Sequence, residues 1–427
     1  MSEKTGDGTM DVVMAVTTSI DLDTAALRAD FPFLDELVGG KPLAYLDSAS
    51  STQKPRQVLD RMRSFYEHEY ANVHRGVYRL AERATEGYEG ARRTVAAFVN
   101  APSEREVIFT RSATESINLI AYAWGLQNLG PGDTVVITEL EHHANFVPWQ
   151  FIASRTGASF RHIPIDDSGE LQLDALADLA REGSIKVVAA GLVSNSLGTI
   201  NPVERLASWA HDQGAIMVVD AAQAAPHRTI DVQALGCDFL AFSSHKLCGP
   251  SGIGALWGRR ELLEEMAPFN LGGEMIRSVA LDRTTFNELP HKFEAGTPAI
   301  AEAVGFGAAI DYITDIGLPA IERHEHELTA YAMERLGNLG WVRLFGPPAA
   351  RRAGIVSFEV EGIHPHDVAQ ILDWDGIAVR AGHHCTQPLM ARLGVAATTR
   401  ASFYLYSITE EIDRLVDGLH KVKKSLG

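Results

Sequence analysis

Cysteine is scarce in this chain, with three residues among 427, so a disulfide framework cannot hold the fold together. Such usage is typical of proteins in a reducing compartment. Positive charge is also in deficit, because 38 Lys and Arg residues stand against 55 Asp and Glu residues, a formal net charge of −17. An acidic balance of this size disfavours nucleic acid and anionic membrane surfaces as partners. We therefore expect the protein to bind neither nucleic acid nor a membrane.

Long hydrophobic runs are missing as well. No apolar stretch approaches the length of a transmembrane helix, and the opening residues 1–8 are polar and acidic, unlike a signal peptide. The hydrophobic fraction of 46% and the charged fraction of 22% are those of an ordinary globular protein. We expect a soluble, cytoplasmic protein, and its length favours two domains.

The pattern of apolar segments changes along the chain and predicts three regions. Residues 1–24 are predicted to be a flexible tail. Residues 25–310 alternate strands that are apolar on both faces with helices, which is typical of a mostly parallel sheet covered on two sides. Residues 311–427 begin with a long amphipathic helix and indicate a smaller α+β domain.

Polar residues follow the ends of several predicted strands in the large region. The residues that stand out are Thr114, Asp220, Gln223, His245 and Lys246. Ligands bind at the carboxyl ends of strands in open α/β sheets. Any one of these side chains alone could be an ordinary solvated loop residue, but their coincidence at one edge favours a binding site.

The residue types suit chemistry on a pyridine ring. A partly desolvated lysine such as Lys246 has a lowered pKa and acts as a nucleophile. A carboxylate such as Asp220, placed opposite a pyridine nitrogen, keeps that nitrogen protonated and makes the ring an electron sink. Ser243 and His245 could hold a phosphate, and either His142 or His143 could stack on the ring.

Four motifs carry a resemblance to a known family: Glu141-His142-His143-Ala144-Asn145, Ser243-Ser244-His245-Lys246, Phe293-Glu294-Ala295-Gly296-Thr297-Pro298 and Arg380-Ala381-Gly382-His383-His384-Cys385. From about residue 43 to its closing helix, the chain resembles pyridoxal-phosphate enzymes of fold type I, in the class V aminotransferase family. More closely, it resembles the SUF-type (group II) cysteine desulfurases. The resemblance implies an α/β fold: a large domain with a mostly parallel seven-stranded sheet flanked by helices, and a smaller C-terminal α+β domain that carries a catalytic cysteine loop.

The resemblance also implies a set of residues that hold pyridoxal 5'-phosphate: Lys246, Asp220, Gln223, His142, Thr114, Ser243, His245 and Thr297. Lys246 would carry the cofactor, Asp220 would pair with the pyridine nitrogen, and Gln223 would hydrogen-bond the phenolic oxygen. His142 would stack on the ring and take part in catalysis, although the adjacent His143 leaves that choice open. Thr297 would reach the phosphate from the other subunit of a homodimer. No metal is expected.

For the substrate, L-cysteine, the resemblance implies binding by Asn195, Arg400 and Arg380, with Asn195 and Arg400 holding the carboxylate. Cys385 would attack the substrate sulfur, leaving L-alanine and a persulfide on the enzyme. The short chain between residues 376 and 389 predicts that this thiol is partly sheltered. A sulfur-acceptor protein of the SUF system would then take the sulfur for iron–sulfur cluster assembly. Cys237 is expected to be an ordinary buried residue, and Cys248 a structural one.

Two other functions compete with this interpretation. A selenocysteine lyase, or another pyridoxal-phosphate-dependent C–S lyase, would share the same fold and cofactor site. A metal-binding or iron–sulfur scaffold protein could instead use a set of His and Cys donors: His364, His366, His383, His384 and Cys385. Against the scaffold, three adjacent donors at 383–385 lack the spacing that lets a short loop wrap one ion.

Overall fold

The computed structural model describes residues 22–181 and 183–427. Residues 1–21 of the predicted tail lie outside the described residues. The first helix, Thr24–Ala29, begins at the last residue of that predicted tail. The division of the chain at residues 24 and 310 stays a prediction.

A seven-stranded sheet forms the centre of the large region. Its strands are β1 (Val107–Thr110), β2 (Asp133–Thr138), β3 (Ser159–Ile163), β4 (Ser184–Gly191), β5 (Ile216–Asp220), β6 (Phe239–Ser243) and β7 (Gly254–Gly258). They lie side by side in the order β1-β7-β6-β5-β4-β2-β3. Only β7 runs antiparallel to its two neighbours, and the other pairs along β6-β5-β4-β2-β3 are parallel. The predicted mostly parallel seven-stranded sheet is confirmed.

The central strands are buried on both faces, which explains their continuous apolar sequences. In β5, Met217 and Val219 pack into one hydrophobic core, whereas Ile216 and Val218 pack into another. Successive side chains of a strand point to opposite faces, so the two cores lie on opposite sides of the sheet. Covered faces of this kind are what a parallel sheet requires.

Helices cover the sheet. In this region they are Thr24–Ala29, Arg56–His68, Arg79–Phe98, Ala113–Ile120, Leu126–Asn128, His143–Thr156, Leu176–Leu179, Val203–Asp212, Val232–Leu235, Arg260–Glu265 and Ile300–Ile316. A π-helical turn at Ala121–Gly125 links two of them. Two short antiparallel strand pairs, Leu37–Val38 with Lys41–Pro42 and Ile276–Val279 with Thr284–Phe286, lie outside the main sheet.

The C-terminal region has its own antiparallel sheet and core. Its strands are β8 (Val342–Phe345), β9 (Ile355–Val360), β10 (Arg380–Gly382) and β11 (Thr398–Ser402), in the order β8-β9-β11-β10. Its helices are Leu318–Gly337, Pro365–Asp373, Gln387–Leu393 and Thr409–Leu426. The smaller C-terminal α+β domain is therefore also present. An early segment crosses to it: Ala44–Tyr45 pairs with Ile377–Ala378, and Ala44 is buried in the same core.

A glycine joins the two regions. Helices Ile300–Ile316 and Leu318–Gly337 meet at 74°, with Gly317 between them at φ +92°. A left-handed backbone of this kind is accessible to glycine and strained for other residues. Within residues 22–181 and 183–427, no single helix is long and apolar enough to cross a membrane, and this bent pair meets such criteria only when its two helices are taken together.

Candidate active site

A cavity of about 210 Å³ lies where the carboxyl ends of the parallel strands meet the C-terminal region. It brings together eleven of the twelve predicted site residues: Thr114, His142, Asn195, Asp220, Gln223, Ser243, His245, Lys246, Arg380, Cys385 and Arg400. These residues come from positions up to 286 apart in the sequence. The amine of Lys246 and the thiol of Cys385 thus share one cavity. Lys246 follows a strand of the seven-stranded sheet, whereas Cys385 lies between two strands of the C-terminal sheet.

Lys246 follows β6 in a short 3-10 turn, and the pKa of its amine is lowered. Burial lowers the pKa of its amine to about 8, and the charges of Arg400 and Arg380 act in the same direction. Asp220, at the end of β5, opposes this shift. Burial in turn raises the pKa of the Asp220 carboxyl, while the N–H of Ala222, at 2.9 Å from Oδ1, stabilises its charged form. The pair therefore provides an amine that is partly neutral near neutral pH.

One end of the cavity is built to receive an anion. Ser112 caps the helix Ala113–Ile120, and the Ala113 N–H donates to Ser243 Oγ at 2.8 Å. Thr114 follows in the first turn, where backbone N–H groups have no partner within the helix. A helix N-terminus with flanking hydroxyl groups is a common phosphate site.

The two adjacent histidines have separate positions, and only His142 lines the cavity. His142 caps the helix His143–Thr156, with Nδ1 accepting from the Ala144 N–H at 3.0 Å. Burial lowers the pKa of His142 to about 3, and the charge of Lys246 adds to the shift. The imidazole is therefore neutral near pH 7 and, with Nδ1 accepting, carries its proton on Nε2.

His143 instead contacts the loop that carries the thiol. Its backbone N–H donates to the Cys385 carbonyl oxygen at 2.7 Å, and its Nε2 accepts from the Gln387 N–H at 3.1 Å. The sequence leaves open which histidine faces the ring. In the structure, His142 lines the cavity, and His143 contacts the loop that carries Cys385.

Buried polar atoms without protein partners remain in the cavity wall. Gln223 donates from Nε2 to the Ala49 carbonyl oxygen at 2.6 Å, but its Oε1 has no partner among the described residues. Arg400 Nε is likewise buried and unpaired. Leaving such groups unsatisfied is costly, so their presence indicates that the cavity is complementary to a polar ligand.

Two arginines lie opposite each other at the C-terminal side of the cavity. Arg380 on β10 and Arg400 on β11 are paired in register. Arg400 is buried and donates from Nη1 to the Asn195 carbonyl oxygen at 2.7 Å, whereas Arg380 is exposed. Asn195 also donates from Nδ2 to the His384 carbonyl oxygen at 2.7 Å. A carboxylate that enters this corner meets two guanidinium groups.

Cys385 lies in a short, anchored loop and is partly buried, as the loop length predicts. Both His384 and Cys385 have left-handed backbones, with φ of +50° and +58°. Two consecutive non-glycine residues in this region are unusual and persist where surrounding contacts hold them. Those contacts include the His384 Nε2 to Thr398 Oγ1 hydrogen bond of 2.9 Å and the Ser196 Oγ to Thr386 Oγ1 hydrogen bond of 2.7 Å.

Thr297 is the one predicted site residue that the single chain keeps apart from this cavity. It is exposed and lines a separate groove of about 470 Å³, together with Thr110, Arg111 and Phe293.

The donor set of the competing scaffold interpretation does not assemble into a group in the described parts of the chain. The group of potential metal ligands found there is His74, Glu89 and His291, whose ligand atoms lie within 4.8 Å of one another. Glu89 already accepts from Arg92 Nε at 2.8 Å. This group is therefore part of an ion-pair network, away from the cavity.

The sequence analysis assigns no role in the site to three residues: Glu141 and Ser50, which line the cavity, and Asp47, which contacts Ser50 and Arg400. Glu141 is buried beside Asp220 and accepts from the Gly191 N–H at 3.0 Å, and burial raises the pKa of its carboxyl to about 7. Its position directly before His142 was the available signal. Asp47 and Ser50 lie far from the other motifs in sequence, and nothing in their spacing connects them to the arginines.

Comparison with known proteins gives a consistent family. The family model described as Aminotransferase class-V matches residues 44–415. A protein from Halalkalibacterium halodurans, named as a probable cysteine desulfurase, is 54% identical over 93% of this chain and 97% of its own length. A cysteine desulfurase from Haloferax volcanii is 49% identical over 96% of this chain and 99% of its own. The apo structure of a cysteine desulfurase from Thermococcus onnurineus superposes with a TM-score of 0.89, at 42% identity, covering 94% of this chain and 98% of that one.

Proposed function

The chain belongs to the class-V aminotransferase family, and on that premise we propose that it is a pyridoxal 5'-phosphate-dependent cysteine desulfurase. It converts L-cysteine to L-alanine and keeps the sulfur as a persulfide on Cys385. The observation that carries the proposal is the shared cavity of Lys246 and Cys385. A lysine suited to carry the cofactor and a thiol suited to accept sulfur face the same space.

The residues around the cavity fit pyridoxal 5'-phosphate. The unpaired Oε1 and remaining N–H of Gln223 suit a polar ring substituent, and the helix N-terminus at Ala113 with Thr114 and Ser243 suits the phosphate. Asp220 is the carboxylate for the ring nitrogen. His245, whose pKa burial lowers to about 4, adds a neutral imidazole beside the phosphate.

When bound, the cofactor supplies an electron sink for the pair that is released as the C–S bond of the substrate breaks. Lys246 holds the cofactor and moves protons at its Nζ, which its lowered pKa permits near neutral pH. His142 presents a neutral ring with a proton on Nε2 toward the cavity. Asp220 would pair with the pyridine nitrogen of the cofactor and keep it protonated.

Asn195, Arg400 and Arg380 orient the substrate through its carboxylate. Orientation matters because the substrate sulfur must face the thiolate of Cys385. The Cys385 sulfur then forms a bond with the substrate sulfur while the C–S bond of the substrate breaks. The product is a persulfide on the partly buried loop.

The functional unit that we propose is a homodimer in which Thr297 completes the phosphate site of the other subunit. Thr297 is exposed, in a groove of about 470 Å³ that also exposes backbone around Gly296, and this supports a role outside its own cavity. The anchored loop of Cys385 supports delivery of sulfur to a dedicated acceptor protein of the SUF system for iron–sulfur cluster assembly. A cytoplasmic location fits this role.

The test compares wild type, Cys385→Ser and the matched control Cys237→Ala, which removes a buried thiol outside the cavity. With L-cysteine and a reductant, Cys237→Ala should release as much alanine and as much sulfide as wild type does. Cys385→Ser should lose nearly all turnover and keep the near-visible absorbance of the bound cofactor. After treatment with L-cysteine in the absence of the reductant, mass spectrometry of the wild-type peptide should show one added sulfur atom on Cys385.

Two outcomes would contradict the proposal. Full L-cysteine turnover by Cys385→Ser would exclude the persulfide route and favour a C–S lyase. A near-visible band that survives unchanged in Lys246→Ala would exclude Lys246 as the residue that carries the cofactor.

A further inference from the structure

The two arginines of the cavity form an arrangement that needs compensation. Arg380 and Arg400 are directly opposite on neighbouring antiparallel strands. Side chains in such positions have Cβ atoms about 4.5–5.5 Å apart, and like charges there destabilise the pair. Some other group must hold the two guanidinium groups together at one edge of the cavity.

Ser50 is at the centre of the contacts that do so. Its Oγ donates to Asp47 Oδ1 at 2.6 Å, and it accepts from Arg380 Nη1 at 2.9 Å and from Arg400 Nη2 at 2.8 Å. Asp47 adds a carboxylate that lies 3.2 Å from Arg400 Nη2 and 3.9 Å from Arg380 Nη1. A single hydroxyl thus links both arginines to one counter-charge.

The hydroxyl has no capacity left for a substrate. A serine hydroxyl offers one donor and two acceptor sites, and Ser50 uses all three within the protein. Although Ser50 lines the cavity, its contribution must therefore pass through the arginines.

The same contacts leave one group of Arg400 available. Nη1 is held by the Asn195 carbonyl oxygen and Nη2 by Ser50 and Asp47, while the buried Nε has no partner. With both terminal nitrogens held, the guanidinium plane is fixed at the cavity wall, and the Nε–H is the one donor that the described residues leave unpaired. Preorganisation of this kind raises affinity because less freedom is lost on binding.

We infer that Ser50 is a positioning residue for substrate recognition, which joins Arg380 and Arg400 into one carboxylate-binding clamp. The inference rests on the proposed function, because it requires an amino-acid substrate in this cavity. It assigns carboxylate specificity to a side chain that never contacts the substrate.

The test uses two ligands that differ only in a carboxylate, L-alanine and ethylamine. Their dissociation constants are measured on the holoenzyme by the change in near-visible absorbance, for wild type, Ser50→Ala, Ser50→Thr and the control Ser51→Ala. Ser51 is the adjacent serine, and its hydroxyl donates to the His245 carbonyl oxygen instead of contacting the arginines.

Ser50→Ala should weaken L-alanine binding by about tenfold, the effect of losing a hydrogen bond to a charged group, and leave ethylamine binding unchanged. Ser50→Thr keeps the hydroxyl and should restore most of the affinity for L-alanine. Ser51→Ala should change neither dissociation constant. For L-cysteine turnover, Ser50→Ala should raise KM by a similar factor, with kcat nearly unchanged.

Equal weakening of both ligands by Ser50→Ala would overturn the inference, since it would indicate a general disturbance of the site. Unchanged binding of L-alanine would overturn it as well. If the wild-type absorbance responds to neither L-cysteine nor L-alanine, the proposed function itself fails, and this result is distinct from a responsive wild type with an unaffected Ser50→Ala.

Discussion

The backbone N–H of His143 donates to the carbonyl oxygen of Cys385 at 2.7 Å, so the helix that follows β2 is tied to the loop that presents the thiol. His142, one residue earlier, faces the cavity. Two identical adjacent side chains thus serve different parts of the site. On the proposed function, the first would bear on the cofactor, and the second would hold the loop of the nucleophile.

Replacing His143 should therefore affect sulfur transfer without disturbing the cofactor. His143→Ala removes the ring acceptor of the Gln387 N–H and loosens the loop, so kcat for L-cysteine should fall by about tenfold, the cost of a misplaced reacting group. The near-visible absorbance should stay as in wild type. His142→Ala, in contrast, should shift that absorbance. A spectral shift in His143→Ala of the same size as in His142→Ala would contradict this division.

The three thiols should differ widely in their reaction with an alkylating agent. Cys385 is partly exposed, whereas Cys237 and Cys248 are buried, and burial raises the pKa of each of these two thiols to about 12. Thiolate is the reactive form, so brief treatment of the native protein with iodoacetamide should label Cys385 alone. Peptide mass spectrometry after quenching measures the labelled sites. Equal labelling of Cys248, which lies two residues past Lys246, would contradict the burial that we describe.

Recapture of the cofactor by the apoenzyme should become faster as pH rises through about 8. Only the neutral amine of Lys246 is a nucleophile, and its pKa is lowered from 10.5 to about 8. His142 and His245, with pKa values of about 3 and 4, are neutral throughout that range and add no titration of their own. The rate of return of the near-visible band, after mixing apoenzyme with pyridoxal 5'-phosphate at about pH 6.5, 7.5, 8.5 and 9.5, measures this. A rate that still rises about tenfold per pH unit up to pH 9.5, as for an ordinary lysine, instead of levelling off above about pH 8, would contradict the lowered pKa.

A buried arginine far from the chemistry should matter for stability. Arg92 is fully buried and makes a two-pronged ion pair with Glu294, Nη1 to Oε1 at 2.6 Å and Nη2 to Oε2 at 2.9 Å, besides its contact with Glu89. Arg92→Met would leave the largely buried Glu294 carboxylate without a counter-charge, which typically costs about 3–5 kcal/mol of the free energy of unfolding. Urea denaturation measures the change.

The neighbouring Arg93 is a matched control, because it pairs with Glu86 on the exposed side of the same helix. Arg93→Met should leave the urea midpoint nearly unchanged, as is usual for surface ion pairs. Equal midpoints for the Arg92 and Arg93 variants would show that the buried network contributes no net stability.

The central strands and the polar residues at their ends could be predicted from the sequence because burial on both faces leaves continuous apolar runs, but the order of the strands in the sheet could not. Strand β3 gives no such signal: it lies at the edge of the sheet, and of its five residues only Ile163 is buried. The antiparallel direction of β7 is also invisible, since its five residues are all buried and read the same in either direction.

Most of the candidate site could be predicted because its motifs are contiguous and resemble those of a known family. Contacts between residues that are distant in sequence could not be predicted. The register that sets Arg380 opposite Arg400 belongs to a three-residue strand with no burial pattern of its own. Ser50 joins these two arginines from 330 and 350 residues away. Only the tertiary structure brings them together.

Gly317 determines the direction in which the last quarter of the chain leaves the main sheet, because the helices before and after it meet at 74°. Lys246 precedes this joint in sequence, and Cys385 follows it. A larger residue here would have to adopt a φ of +92° or alter the angle between the helices. The distance between the Lys246 amine and the Cys385 sulfur therefore depends in part on the angle at Gly317, a residue that has no side chain.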